Sequence, residues 1–157
     1  MQQNADDPPP SRIPWPPILI VATLIAGRGL DLAAGGALEL PAAVSSLGVA
    51  LIVLALAGDA WCARTLWRRG TTILPHRAVS SLATDGPYRF SRNPIYVSHV
   101  ALTFGVGLLL RSGGVALLIP LLVFALVKLA IEPEERHLLR KFGDEFSAYA
   151  RRVRRWI

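Results

Sequence analysis

Four apolar runs divide the chain, at about Pro17 to Leu32, Ala42 to Trp61, Pro94 to Leu110 and Val115 to Ile131. Each approaches the roughly 20 residues that a membrane-crossing helix needs. The first, third and fourth are short, which suits a thin bilayer region or helices that continue past their apolar part. A fifth pattern is different in kind. Leu138, Phe142, Phe146, Tyr149, Val153 and Trp156 recur at spacings of three and four, with mostly charged residues between them. That is the period of an amphipathic helix, expected to lie along a membrane interface and to bend at Gly143. The pattern therefore predicts an all-α membrane protein: about four transmembrane helices and a C-terminal interfacial amphipathic helix. Residues 1–16, acidic and then Pro-rich, are expected to be a flexible N-terminal segment ahead of a single domain over 17–157. They lack the basic start of a signal peptide, so the first apolar run is expected to stay in the mature protein.

Charge adds an orientation. The 157 residues carry a net charge of +6, and the basic residues flank apolar runs instead of forming a nucleic-acid patch. The connection after the first run has no Lys or Arg, and the hairpin after the third has only Arg111. Arg64, Arg68, Arg69, Arg77, Arg89 and Arg92 fill the middle connection, and seven more basic residues lie beyond Glu134. The positive-inside rule then predicts a protein of the inner membrane with both termini in the cytoplasm. The single cysteine, Cys62, allows no intrachain disulfide and is expected to pack in the interior. No grouping of His, Cys and carboxylates has metal-site spacing.

The chemistry concentrates in two places. Residues 85–99 read DGPYRFSRNPIYVSH, and residues 132–135 read EPEE. Counting outward from the Ser112–Gly113 hairpin at equal rise puts Asn93 level with Glu132, and Ser91 level with Glu134. The two stretches therefore meet at the cytoplasmic face. Carboxylates at the end of a membrane helix are unfavourable unless something positive binds them. Arg89, Arg92 or a cationic ligand would serve. Pro94 suits the first turn of a helix, Asn93 its cap, and the exposed N–H groups there suit an anion. Gly86 and Pro87 make a turn that aims Tyr88; with Phe90 and Tyr96 it offers rings for stacking or for a cation. The plainer readings are interfacial Arg–Glu pairing and an aromatic belt. Carboxylates, anion donors and rings in one place would all be used by S-adenosylmethionine.

The sequence LATDGPYRFSRNPIYVSH, followed after a helical hairpin by EPEERHLLRKFGDEFSAYARRVRRW, resembles the integral-membrane methyltransferase superfamily. That superfamily includes isoprenylcysteine carboxyl methyltransferases and phospholipid N-methyltransferases. The shared elements are Gly86-Pro87-Tyr88, Arg92-Asn93-Pro94-Ile95-Tyr96, Glu134-Glu135, and Phe142-Gly143 with Phe146 and Tyr149. They span about residues 70–157. The resemblance implies a cytoplasmic-side site for S-adenosylmethionine. Ser80, Ser81, Leu82, Ala83 and Tyr88 would contact it, Asn93, Pro94, Ile95 and Tyr96 would line it, and Glu134 and Glu135 would hold its polar groups. It also implies a lipophilic or amphiphilic acceptor entering from membrane lipid: an isoprenylcysteine-like carboxylate, a phospholipid amine or a small thiol. Two positions depart from the pattern. Asn93 stands where many relatives have His, which removes acid–base chemistry there. Ala130 stands where the prenylcysteine enzymes carry an Arg four residues before the glutamate pair.

Arg92, His99 and Lys128 are the candidates for a catalytic role. His99 reads equally as a base or as a histidine bonded to a neighbouring helix, and Lys128 equally as a snorkelling side chain. Arg28 and Asp31, three apart, read as a structural pair. Asp59 is expected to reach Arg64 or the pocket. Two rival functions are a membrane sterol-type NADPH reductase and a non-enzymatic scaffold or transport subunit. The short chain and its few basic groups count against the first. The concentration of polar groups at one face, not at the midplane, counts against the second.

Overall fold

A computed structural model describes residues 14–36, 38–70 and 81–157. Arg77 and Ser80, and most of the N-terminal segment, lie outside the described residues. Among the described residues, six α-helices follow one another: α1 (Trp15–Ala33), α2 (Val44–Arg68), α3 (Pro94–Leu109), α4 (Gly113–Leu126), α5 (Glu132–Phe142) and α6 (Asp144–Arg152). A π-helical turn, Val127–Ile131, joins α4 to α5 without a break, and a 3-10 turn, Gly86–Arg89, precedes α3.

The protein is an all-α membrane protein. Trp15–Ala33, Val44–Arg68 and Gly113–Phe142 are long and apolar enough to cross a membrane; Pro94–Leu109 is apolar but shorter. Their outer surfaces are greasy, with Ile25, Leu54, Leu117 and Phe124 exposed. In water such a surface would drive aggregation; in a bilayer it faces lipid.

Two boundaries differ from the apolar runs. The second run predicts an end near Trp61, but α2 continues to Arg68. Nothing in CARTLWRR breaks a helix, and the turn comes at Gly70, whose φ is 64°. The fourth run predicts an end at Ile131, yet the helix continues to Phe142. Pro133 lacks an N–H and crowds the carbonyl of Leu129, and the π-helical turn covering that residue widens the helix to accommodate it.

In space the helices lie in the order α2, α3, α4, α1. Small residues set the spacing, as expected where lipid gives helices no hydrophobic drive to associate. A Cβ on Gly105 would stand 2.9 Å from the Gly48 carbonyl oxygen, and one on Gly114 only 2.2 Å from that of Gly27. Gly105→Leu is therefore expected to part α2 from α3, at about 1–3 kcal/mol. Thermal unfolding in detergent would show the loss. Gly29→Leu, where a Cβ meets nothing within 4 Å, serves as the control.

The hairpin end of the bundle is locked by polar groups. Asp31 accepts hydrogen bonds from Ser112 Oγ and, at 2.8 Å, from the Gly114 N–H, and pairs with Arg28 at 3.0 Å. The α1–α2 connection reaches the same hairpin through Gly113 N–H to the Leu38 carbonyl and Leu40 N–H to the Arg111 carbonyl. Arg28–Asp31 is thus the structural pair expected from spacing, with a further role in tying α1 to α4.

Candidate functional site

At the opposite, basic end, the segment before α3 is fixed from both sides. Gly86 has φ 54°, and a Cβ there would meet Thr65 Oγ1 at 2.7 Å, so the 3-10 turn lies against α2. Arg69 at the end of α2 donates to Asp85 at 2.7 Å and to the Leu82 carbonyl at 3.2 Å. These contacts aim Tyr88 inward and place Ser81, Leu82 and Ala83 beside it.

A pocket of about 100 Å³ forms there. Ser81, Leu82, Ala83 and Tyr88 line one side, Arg92, Asn93 and Ile95 the start of α3, and Glu134 and Glu135 the face opposite. The two polar stretches do meet. The register differs from the equal-rise count, because Glu134 accepts from the Tyr96 hydroxyl at 2.9 Å instead of lying level with Ser91. The π-helical turn packs more residues into the same depth, so Glu134 stands nearer the hairpin than counting suggests.

The two glutamates have different company. Glu135 pairs with Arg92 at 3.3 Å and with Arg155 at 2.6 Å. Glu134 receives, among the described residues, only the Tyr96 hydrogen bond. Two buried donors at the pocket, Ser81 Oγ and Arg92 Nε, have no hydrogen-bond partner among the described residues. Buried polar atoms are rarely left so.

The remaining expected residues lie around this centre. Asn93 holds the N-cap position of α3, but its side chain makes no capping bond; its Nδ2 donates to the Arg155 carbonyl at 3.0 Å, and its N–H to Ser91 Oγ. Pro94 lies behind the pocket. It lines a second, apolar cavity of about 220 Å³ with Trp61, Cys62 and Phe90. His99 lies deeper on α3, facing Asp59 of α2, so Asp59 reaches His99 and not Arg64. Lys128 points away, half exposed and paired with Glu132 at 2.9 Å. Among the described residues, no group of three or more His, Cys, Asp and Glu is placed to hold a metal.

The C-terminal stretch supplies what spacing did not reveal. The chain turns at Gly143, with φ 49°, and α6 folds back. Phe146 and Tyr149 bury against Leu82, flanked by Leu138, Phe142 and Val153. The amphipathic period does mark this stripe. Its partner is the segment before the 3-10 turn. Beyond α6, residues 153–157 cross the site as a strap, held by Arg92 N–H to the Arg154 carbonyl and by Ser91 and Asn93 to the Arg155 carbonyl. Hydrogen bonding to Glu135 raises the pKa of the already charged Arg155 guanidinium further.

Burial raises the Tyr88 phenol and pushes that of Tyr149 up to about 12, so both are neutral donors at physiological pH. The Tyr149 hydroxyl donates to the Tyr88 carbonyl at 2.7 Å and so couples α6 to the turn. Tyr149→Phe is expected to cost about 1 kcal/mol, read as a lower unfolding midpoint in detergent.

Comparison of the sequence with known proteins points to one family. The family model described as phospholipid methyltransferase matches residues 44–145, well over half of the chain. The nickel-cobalt-cadmium resistance protein NccN of Alcaligenes xylosoxydans xylosoxydans is 34% identical over 112 residues, 71% of this chain and 48% of that protein. The cobalt-zinc-cadmium resistance protein CzcN of Cupriavidus metallidurans is 34% identical over 108 residues, 69% of this chain and 46% of that one. The protein-S-isoprenylcysteine O-methyltransferase of Schizosaccharomyces pombe is 33% identical over 72 residues, 46% of this chain and 30% of the enzyme. The chain thus spans about half, or less, of the length of these relatives. No solved structure matches. The matched span carries the turn, the α3 motif and the glutamate pair together, and the chain belongs to the phospholipid methyltransferase family, within the membrane methyltransferase superfamily.

Proposed function

We propose that the protein transfers the methyl group of S-adenosylmethionine to a lipophilic or amphiphilic acceptor at the cytoplasmic face of the inner membrane. The carrying observation is the pocket itself: a sparsely bonded carboxylate, two unsatisfied buried donors and aromatic walls, assembled from the motifs that mark the family. These groups fit the cofactor's chemistry. Glu134 would take its ammonium group, and Ser81 Oγ and Arg92 Nε its acceptor atoms. Tyr88 and Leu82 would cover its base.

Bound there, S-adenosylmethionine supplies a methyl group made electrophilic by a positively charged sulfur. The protein's task is then alignment and exclusion of water, since in-line displacement needs little else. Small-molecule sites usually offer about 300 Å³ or more, so a pocket of about 100 Å³ has to widen. The distribution of Arg and Lys supports a cytoplasmic placement of this end, with both termini on the same side.

The test is transfer of a labelled methyl group by purified protein in lipid nanodiscs, supplied with an extract of membrane lipids. Label appearing in an extractable product, and absent with Glu134→Ala, supports the reading. A folded protein that transfers no label to lipid, amine, thiol or carboxylate amphiphiles contradicts it.

A further inference from the structure

Asp59 and His99 face each other across the α2–α3 seam, with Oδ2 and Nε2 3.9 Å apart. They continue the two helix faces that wall the pocket. Asp59 lies two turns from Leu66 on α2, and His99 one turn beyond Ile95 on α3, both of these lining residues. The pair therefore sits immediately membrane-ward of the pocket. Tyr96 links the two places: its hydroxyl donates to Glu134, and its ring meets the His99 ring edge-on with centroids 6.3 Å apart.

Each partner has a buried atom without a hydrogen bond among the described residues: Asp59 Oδ1 and His99 Nδ1. With the Nε2 proton turned toward Asp59, both orphaned atoms are acceptors. The Ser98 hydroxyl bonds to Asp59, but Oδ1 and Nδ1 themselves receive no donor. A carboxylate, which brings only lone pairs, would leave both unsatisfied and would face the Asp59 charge. Lys128 and Arg92 do not relieve this, since Lys128 is paired with Glu132 and Arg92 with Glu135.

We propose that His99, positioned by Asp59, takes a proton from the methyl acceptor, and that the acceptor is an N–H or S–H nucleophile, an amine or thiol on a lipophilic body, not a carboxylate. This rests on the methyl-transfer reading above. An ammonium gives one proton to His99 Nδ1, and a thiol gives its S–H proton. The freed lone pair bonds the methyl carbon as the methyl–sulfur bond breaks, and that bond's electron pair stays on sulfur. The products are a methylated ammonium or thioether, demethylated cofactor, and an imidazolium held by Asp59 until its proton leaves to water.

The experiment uses full-length protein in nanodiscs, labelled S-adenosylmethionine, and three amphiphiles with one alkyl chain ending in amine, thiol or carboxylate. Phosphatidylethanolamine vesicles form a fourth arm and separate a lipid headgroup from a free amphiphile. The amine or thiol is expected to be methylated and the carboxylate not. His99→Ala is expected to lower kcat about 100-fold or more, with cofactor affinity unchanged and turnover partly restored by added imidazole. Asp59→Asn is expected to lower kcat less. Methylation of the carboxylate, undiminished turnover in His99→Ala, or loss of cofactor binding in both variants overturns the proposal. So does a cofactor-binding wild type that methylates none of the four. A wild type that binds no cofactor removes the underlying methyl-transfer reading as well.

Discussion

Glu134→Gln is expected to weaken S-adenosylmethionine binding about 30- to 150-fold, the equivalent of about 2–3 kcal/mol for losing a charge-assisted hydrogen bond. The unfolding midpoint should hardly move. Glu134 has one hydrogen-bond partner among the described residues, and glutamine still accepts from Tyr96. Glu135 makes the instructive contrast. Its carboxylate is engaged by Arg92 and Arg155 and anchors the strap. Glu135→Gln should therefore lower the unfolding midpoint as well as affinity. Calorimetric titration beside thermal unfolding separates the two. Equal affinity in wild type and Glu134→Gln would remove this carboxylate from the site.

Asp31→Ala is expected to be the most damaging single change at the hairpin end, at about 3 kcal/mol. It strands the buried Ser112 hydroxyl and the Gly114 N–H, each costing about 1–3 kcal/mol when unsatisfied. The Arg28 pair adds little, because the Arg28 side chain is 47% exposed. The loss should appear as a lower unfolding midpoint, with cofactor affinity retained in the protein still folded. Arg28→Ala, which leaves Ser112 and Gly114 bonded to Asp31, should cost under about 1 kcal/mol. Similar effects for the two variants would contradict this division of labour.

Much of the architecture was legible because lipid imposes a simple pattern. Apolar runs marked α1 to α4, Pro94 marked the start of α3, and residues three and four apart marked the apolar stripe of the tail. Meeting of the RNP and EPEE stretches followed from hairpin geometry alone. What escaped notice has physical reasons. Helix α2 outran its apolar part because helix formation needs no greasy residues once begun. The contact between Glu134 and Tyr96 was displaced by a π-helical turn that no periodicity announces. The strap was invisible because its hold is mostly on backbone carbonyls, which carry no residue-type signature. Asn93 bonding to the Arg155 carbonyl, 62 residues away, is an example.

The pocket between the 3-10 turn, α3 and α5 is proposed to hold S-adenosylmethionine. The most direct measurement is calorimetric titration of the purified protein in detergent with S-adenosylmethionine and its demethylated product. Saturable binding of both in the micromolar range, at one site per chain, is the predicted result. A protein that unfolds cooperatively on heating yet releases no binding heat with either ligand, over a range of temperatures, would contradict the account.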